Sequence, residues 1–227
     1  PAIFEAYRDQ FYVRLAENCV AYSWILTAVM AASPVCDSSF VEKGRIGGDL
    51  FQGLATVRCS ELGYWNFFAP ILDYTSAAAY ADSIQSYIDS GMIRYPSELY
   101  YPIRLKNFGP YSLEGLKEGI SHIELRMVDL NPLVRSGIDE RDVLFSQLFL
   151  VWAAAQAPAN LTVKDQVQAV QNFKNAAHYD LKTVKIVMPD GTACSVVKAA
   201  KRIIDAMEAF FDDFGTSVHE CLAFQRL

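Results

Sequence analysis

Between Asn18 and Cys36 the chain carries no charged residue, and that run limits what it can fold into. A stretch of this kind must leave water, into a membrane or into a protein core. It contains Asn18, Ser23, Thr27, Ser33 and Pro34 and lacks the flanking basic belt of a membrane span. Upstream, Phe4, Tyr7, Phe11 and Leu15 continue into Tyr22, Ile25 and Val29 as one helical stripe. The pattern predicts a buried core helix over residues 3–32 that stops before Pro34.

The 227 residues suffice for a sizeable core in one domain or two small ones, and 52% of them are hydrophobic. A net charge of −6, with basic residues scattered, argues against a nucleic-acid surface or an anionic-membrane patch. The five cysteines are odd in number and far apart, without metal-ligand spacing. They read as free thiols, so a cytoplasmic protein is expected.

Residues 33–53 read as a glycine-rich connection with Gly44, Gly47 and Gly48, in a spacing that fits no phosphate-binding loop. Helices are predicted over 75–91, with Thr75 or Ser76 as cap and Gly91 as stop, and over 112–118, closed by Gly119. Asp139 should cap a helix over 140–156 with Val143, Leu144, Leu148, Val151 and Trp152 in the core. A helix over 163–177, a hairpin around Pro189-Asp190-Gly191 and a helical tail over 194–225 complete the reading. No repeat or clear linker appears, so the expected fold class is α+β, helix-rich, in a single unit over 1–227.

Three segments with strand-like alternation each carry an arginine. They are 54–60 with Arg58, 100–106 with Arg104, and 120–129 with Glu124 and Arg126. In the third, Ile123, Leu125 and Met127 face one way while Glu124 and Arg126 face the other. Arg58 could pair with Glu61 or clamp a carboxylate or phosphate, which a planar guanidinium suits. Glu124 and Arg126 could pair with each other or with cross-strand partners, or meet Mg²⁺ and the phosphate it binds. Tyr64 and Tyr100 could be core filler or the wall of a pocket. His178 and His219 read as surface residues, and only His122 lies near the charged face. The residues by themselves predict an anion-handling sheet.

Four blocks in order make the reading specific: Ala31-Ala32-Ser33-Pro34, the run Ala55 to Tyr64, the run Glu98 to Arg104, and the run Gly119 to Pro132 ending in Asp129-Leu130-Asn131-Pro132. Together they resemble the C-terminal half of bacterial glutamate–cysteine ligase, a half also found in bifunctional glutathione synthases. The resemblance runs from about residue 5 to residue 156 and is looser over 160–227. It implies a glutamine-synthetase-like ligase fold with an antiparallel sheet around the active site. It implies a reaction in which ATP phosphorylates the γ-carboxylate of glutamate and the amine of cysteine displaces the phosphate. The same resemblance gives Glu124 as a Mg²⁺ ligand and Arg126 as the residue at the transferring phosphate. It puts Arg58 at the amino-acid substrates and Tyr64 and Tyr100 in the walls of the cysteine pocket. Arg104 falls in a matched block as a further substrate-binding candidate.

The family's N-terminal half supplies most of its metal-binding acids, so the chain is expected to be a C-terminal portion that is inactive alone. Sheet edges and apolar surface should then stay open where the missing half packs. The competing readings are a carboxylate–amine ligase with another amine acceptor and a noncatalytic binding or regulatory domain.

Overall fold

The computed structural model describes residues 2–35, 37 and 53–215. From Asn18 to Met30 the uncharged run is helical and largely buried, and Trp24, Ile25 and Leu26 are fully enclosed. Among the described residues no helix is long and apolar enough to cross a membrane. The single helix expected over 3–32 comes as two, α1 (Ala2–Tyr22) and α2 (Trp24–Met30). The interruption is Ser23, whose hydroxyl donates to the Cys19 carbonyl at 2.5 Å and competes for the acceptor that a helical N–H uses.

α1 is the axis of the molecule and packs against most of the other elements. These include α3 (Ala77–Asp89), α5 (Glu140–Ala155), α6 (Val163–Ala176) and a two-stranded antiparallel sheet of β1 (Ile103–Asn107) and β2 (Ile120–Leu125). A two-stranded sheet is marginal by itself, and α1 secures this one. Asp9 accepts from the Ile120 N–H at 2.9 Å, while Ile103, Leu105 and Ile120 join the core. α4 (Leu113–Glu118) connects the strands, and Gly119 closes it as expected. The hairpin expected around Gly191 is β3 (Lys185–Val187) and β4 (Ala193–Ser195), followed by α7 (Val196–Asp212). The helix-rich α+β class is thus observed, with small antiparallel sheets.

Local signals fixed the helix starts well. Ser76 caps α3 by accepting from Ala79, and Asp139 caps α5 by accepting from Arg141. Three expectations are corrected. The stripe is buried at Leu15 and Ile25 and half-buried at Tyr22 and Val29, whereas Phe4 and Tyr7 are 70% and 73% exposed. On α5 the core face is Phe145, Leu148, Phe149 and Trp152, while Val143 and Val151 are exposed. That helix is apolar nearly all round, so its sequence does not say which side turns inward.

The third correction is the segment 54–60, which is a turn and not a strand. Leu54 and Thr56 make only isolated bridges, to His178 and Ser33. Ser60 then folds the chain back, its hydroxyl and its N–H both donating to the Val57 carbonyl, at 2.8 and 3.2 Å. Val57 and Cys59 are buried and Arg58 is exposed, so the alternation is present without a ladder. The glycines at 44, 47 and 48, His219 and the tail beyond 215 lie outside the described residues.

Candidate active site

The turn that carries Arg58 is shaped from both sides. Gly63 sits so close to it that a Cβ there would run into the Val57 and Arg58 carbonyls. The next N–H, of Tyr64, donates to the Arg58 carbonyl at 3.1 Å. Asn66 then accepts from the Tyr100 N–H and donates to the Glu98 carbonyl, so the aromatic turn and the approach to β1 are fixed together.

Four of the residues picked out in the sequence converge. Arg58 lies over the Tyr64 ring at 5.5 Å, Tyr64 and Tyr100 have ring centroids 5.7 Å apart, and Arg126 lies over Tyr100 at 5.9 Å. The two arginines are linked directly, since Arg58 Nη2 donates to the Arg126 carbonyl at 3.2 Å. All four line one cavity of about 190 Å³, the space of roughly six waters. Its other walls are residues that the sequence did not mark as part of a site, and Met127, expected on the face opposite Arg126, lines the cavity with it. Thr27 comes from α2, Phe173 from α6, and Cys59, Trp65 and Met127 from the loops between. The cavity wall therefore combines guanidinium and phenol groups with apolar and sulfur-containing side chains.

The electrostatics favour an anion. Burial, then the neighbouring Arg104 and Arg58 charges, lower the Arg126 pKa, while Glu124 offsets them in part. Arg104 and Arg126 both donate to the Leu99 carbonyl, at 3.2 and 3.0 Å, which brings two cations to one acceptor. None of the lining residues is acidic. An incoming carboxylate or phosphate would thus relieve repulsion between the arginines as well as form hydrogen bonds.

Arg104 and Glu124 stand outside the cavity wall, opposite each other across the β1–β2 ladder. Arg104 is buried, donates to the Ser97 and Leu99 carbonyls and faces the Tyr111 ring. Glu124 is half exposed, with Lys106 and Arg126 each 3.4 Å from its carboxylate. Among the described residues no three His, Cys, Asp or Glu side chains gather as a metal site would require. One carboxylate already shared by two cations does not fit Mg²⁺, which needs several oxygen ligands. Glu61, the alternative partner for Arg58, has its carboxylate 3.4 Å from His178 Nε2, an ion pair when the imidazole is protonated.

A wider groove of about 700 Å³ runs between α1, α3 and the start of α6. Two of its buried polar groups are already engaged, Gln166 with both backbone groups of Leu72 and Glu17 with the Leu161 N–H. The three described cysteines are free, and burial pushes the Cys59 thiol up to about 11, so it is a packing group rather than a nucleophile.

Comparison with known proteins bears on this geometry. The family model for glutamate-cysteine ligase matches residues 69–176, which extends into α6. The glutathione biosynthesis bifunctional protein of Listeria welshimeri is 32% identical over 90% of this chain, and that of Clostridium perfringens 28% over 90%. The chain spans about a quarter of the length of these relatives, 27% and 28%. Among solved structures, the glutamate–cysteine ligase of Francisella tularensis in complex with AMP superposes with a TM-score of 0.81. That match covers 96% of this chain and 50% of the other, at 19% identity. A bifunctional glutathione synthetase from Pasteurella multocida gives 0.76 over 98% of this chain and 27% of the other, also at 19% identity. At such identity these two structures speak for the fold. By sequence and by fold, then, the chain is similar to a portion of glutamate–cysteine ligase, and the resemblance drawn from its four blocks is borne out.

Proposed function

We propose that this chain forms the C-terminal part of the catalytic region of an ATP-dependent ligase that makes γ-glutamylcysteine, the first step of glutathione biosynthesis, in the cytoplasm. In that reaction ATP transfers its γ-phosphoryl group to the γ-carboxylate of glutamate. The amine of cysteine then attacks the acyl phosphate, forms the amide, and releases phosphate. One observation supports the reading above others: Arg58, Tyr64, Tyr100 and Arg126, from three separate segments, meet at one small cavity.

On this reading Arg58 holds an amino-acid carboxylate, and Tyr64 and Tyr100 wall the cysteine pocket. Arg126 lies where charge develops on the transferring phosphoryl group, and Arg104 supports it from behind the Leu99 carbonyl. Glu124 would supply at most one oxygen to Mg²⁺, so the remaining acids must come from outside the described residues. The relatives, about four times longer than this chain, are consistent with an additional portion that completes the site.

The test is ADP release by the full-length protein that contains this segment. Release should require both glutamate and cysteine, and the chain alone should give none. Release that ignores cysteine but follows another amine would replace the acceptor. Robust turnover by the isolated chain would overturn the need for a further portion.

A further inference from the structure

Beside the cavity, three stretches distant in sequence run together: Ala32–Ser33 after α2, Thr56–Cys59, and Met127–Leu130 after β2. Asp129 lies at their junction, 7% exposed. Its carboxylate accepts from the N–H groups of Ala32 and Ser33, both at 2.9 Å, and of Leu130 at 3.0 Å. The Ser33 hydroxyl lies within 2.7 Å of both carboxylate oxygens. All of these partners are donors, and a buried carboxylate held by donors is a rigid anchor.

The anchor reaches the cavity in two steps. The Ser33 carbonyl accepts from the Val57 N–H at 2.9 Å, and Ser33 bridges Thr56. Arg58 follows directly, on a turn with no ladder of its own, so Ser33 sets where that turn begins. On the other side, the pairing of β2 with β1 ends at Leu125, and the Arg126 N–H makes one more bond, to the Pro102 carbonyl. The chain beyond it is tied down by Asp129 and by the Cys59 thiol, which donates to the Met127 carbonyl. Both arginine-bearing segments are therefore tied, through their neighbours, to one carboxylate.

We propose that Asp129 is a positioning residue, and that its carboxylate fixes the separation at which the Arg58 and Arg126 guanidiniums meet an anionic substrate. This rests on the ligase reading above. The test uses the full-length ligase with Asp129→Asn, Ser33→Ala and Ser33→Thr, each also made in a Trp65→Phe background. Trp65 donates to the Cys59 carbonyl, so its difference emission reports the turn that carries Arg58. Asp129→Asn should raise the KM for cysteine about tenfold, a loss of ~1.4 kcal/mol in binding, and leave the KM for ATP within about twofold. It should also move the Trp65 emission to the red with helical circular dichroism retained. Ser33→Ala should do the same to a smaller degree, and Ser33→Thr, which keeps the hydroxyl, should restore wild-type values. Reduced active-enzyme concentration with every KM and the Trp65 emission unchanged would overturn the proposal. If Asp129→Asn does not fold, Ser33→Ala decides in the same terms. If wild type shows no cysteine-dependent ADP release, the ligase reading fails, and the Trp65 arm still decides the positioning role.

Discussion

Arg126 is the residue whose surroundings say most about chemistry. Burial and then two further guanidiniums lower its pKa, a tyrosine face lies beneath it, and a half-exposed glutamate balances it in part. A charge held at such cost matters most where negative charge appears during reaction. Arg126→Ala in the full-length ligase should therefore lower kcat by about 10²-fold while KM values move by less than about tenfold. Equal effects on both would contradict a transition-state role. Gly63 offers a test of the same site through the backbone. Its missing Cβ lets the chain close on the Arg58 turn, so Gly63→Ala should displace Arg58 and Tyr64 together. Stability should fall by about 1–3 kcal/mol by chemical denaturation, with weaker binding of the amino-acid substrate. The alternation around Arg58 and the resemblance of its block made these residues legible. Thr27 and Phe173 were not, because nothing in a helical core pattern marks which buried side chain borders a void.

Among the elements, helix starts were readable because a cap is local chemistry. α6 shows it fully: the Thr162 hydroxyl receives the Asp165 N–H and the Asp165 carboxylate receives the Thr162 N–H. Thr162→Ala should cost about 1 kcal/mol, read as a shift in urea midpoint with the slope unchanged. What the elements do beyond their own turns was less legible. Periodicity finds a face of a helix and does not say whether anything covers it. On the stripe from Phe4 to Val29 this makes a sharp contrast. Ile25→Ala should cost roughly 2–5 kcal/mol, whereas Tyr7→Ser should stay within about 0.5 kcal/mol, measured on this chain. Likewise, alternating burial around Arg58 was compatible with a strand, but only a partner with free N–H and C=O groups makes one. Here Ser60 takes the Val57 carbonyl and Ser33 takes the Val57 N–H.

At the scale of the whole molecule, the interior is rich in groups that ionise only in alkali. Burial raises the pKa of the Cys19 thiol and of the Tyr74, Tyr80 and Tyr101 phenols, and moves the Cys59 thiol from its ordinary 9.0 to about 11. The sign follows from the neutral form being the folded one. Each group contributes its full stabilisation below its unfolded pKa and loses it as pH rises toward its folded pKa. For Cys59 the loss is roughly 3 kcal/mol between about pH 9 and 11. Thermal melts should therefore hold from pH 7 to 8 and fall steadily above about 9, and a flat profile to pH 11 would contradict this. The helix-rich class and the antiparallel strand pair were visible in the sequence, since both rest on period and punctuation. How the cavity closes was not, since its walls belong to elements from α2 to α6. That wide spacing also bears on how the protein reaches its native state. Helices α1 and α5 can form from neighbours along the chain, whereas the cavity exists only once Phe173 has met Trp65 and Thr27 has met Cys59. Chain closure over such distances is slow compared with helix growth. During refolding, helical signal should return early and binding competence last, so a chain caught partway would look structured and yet have no site.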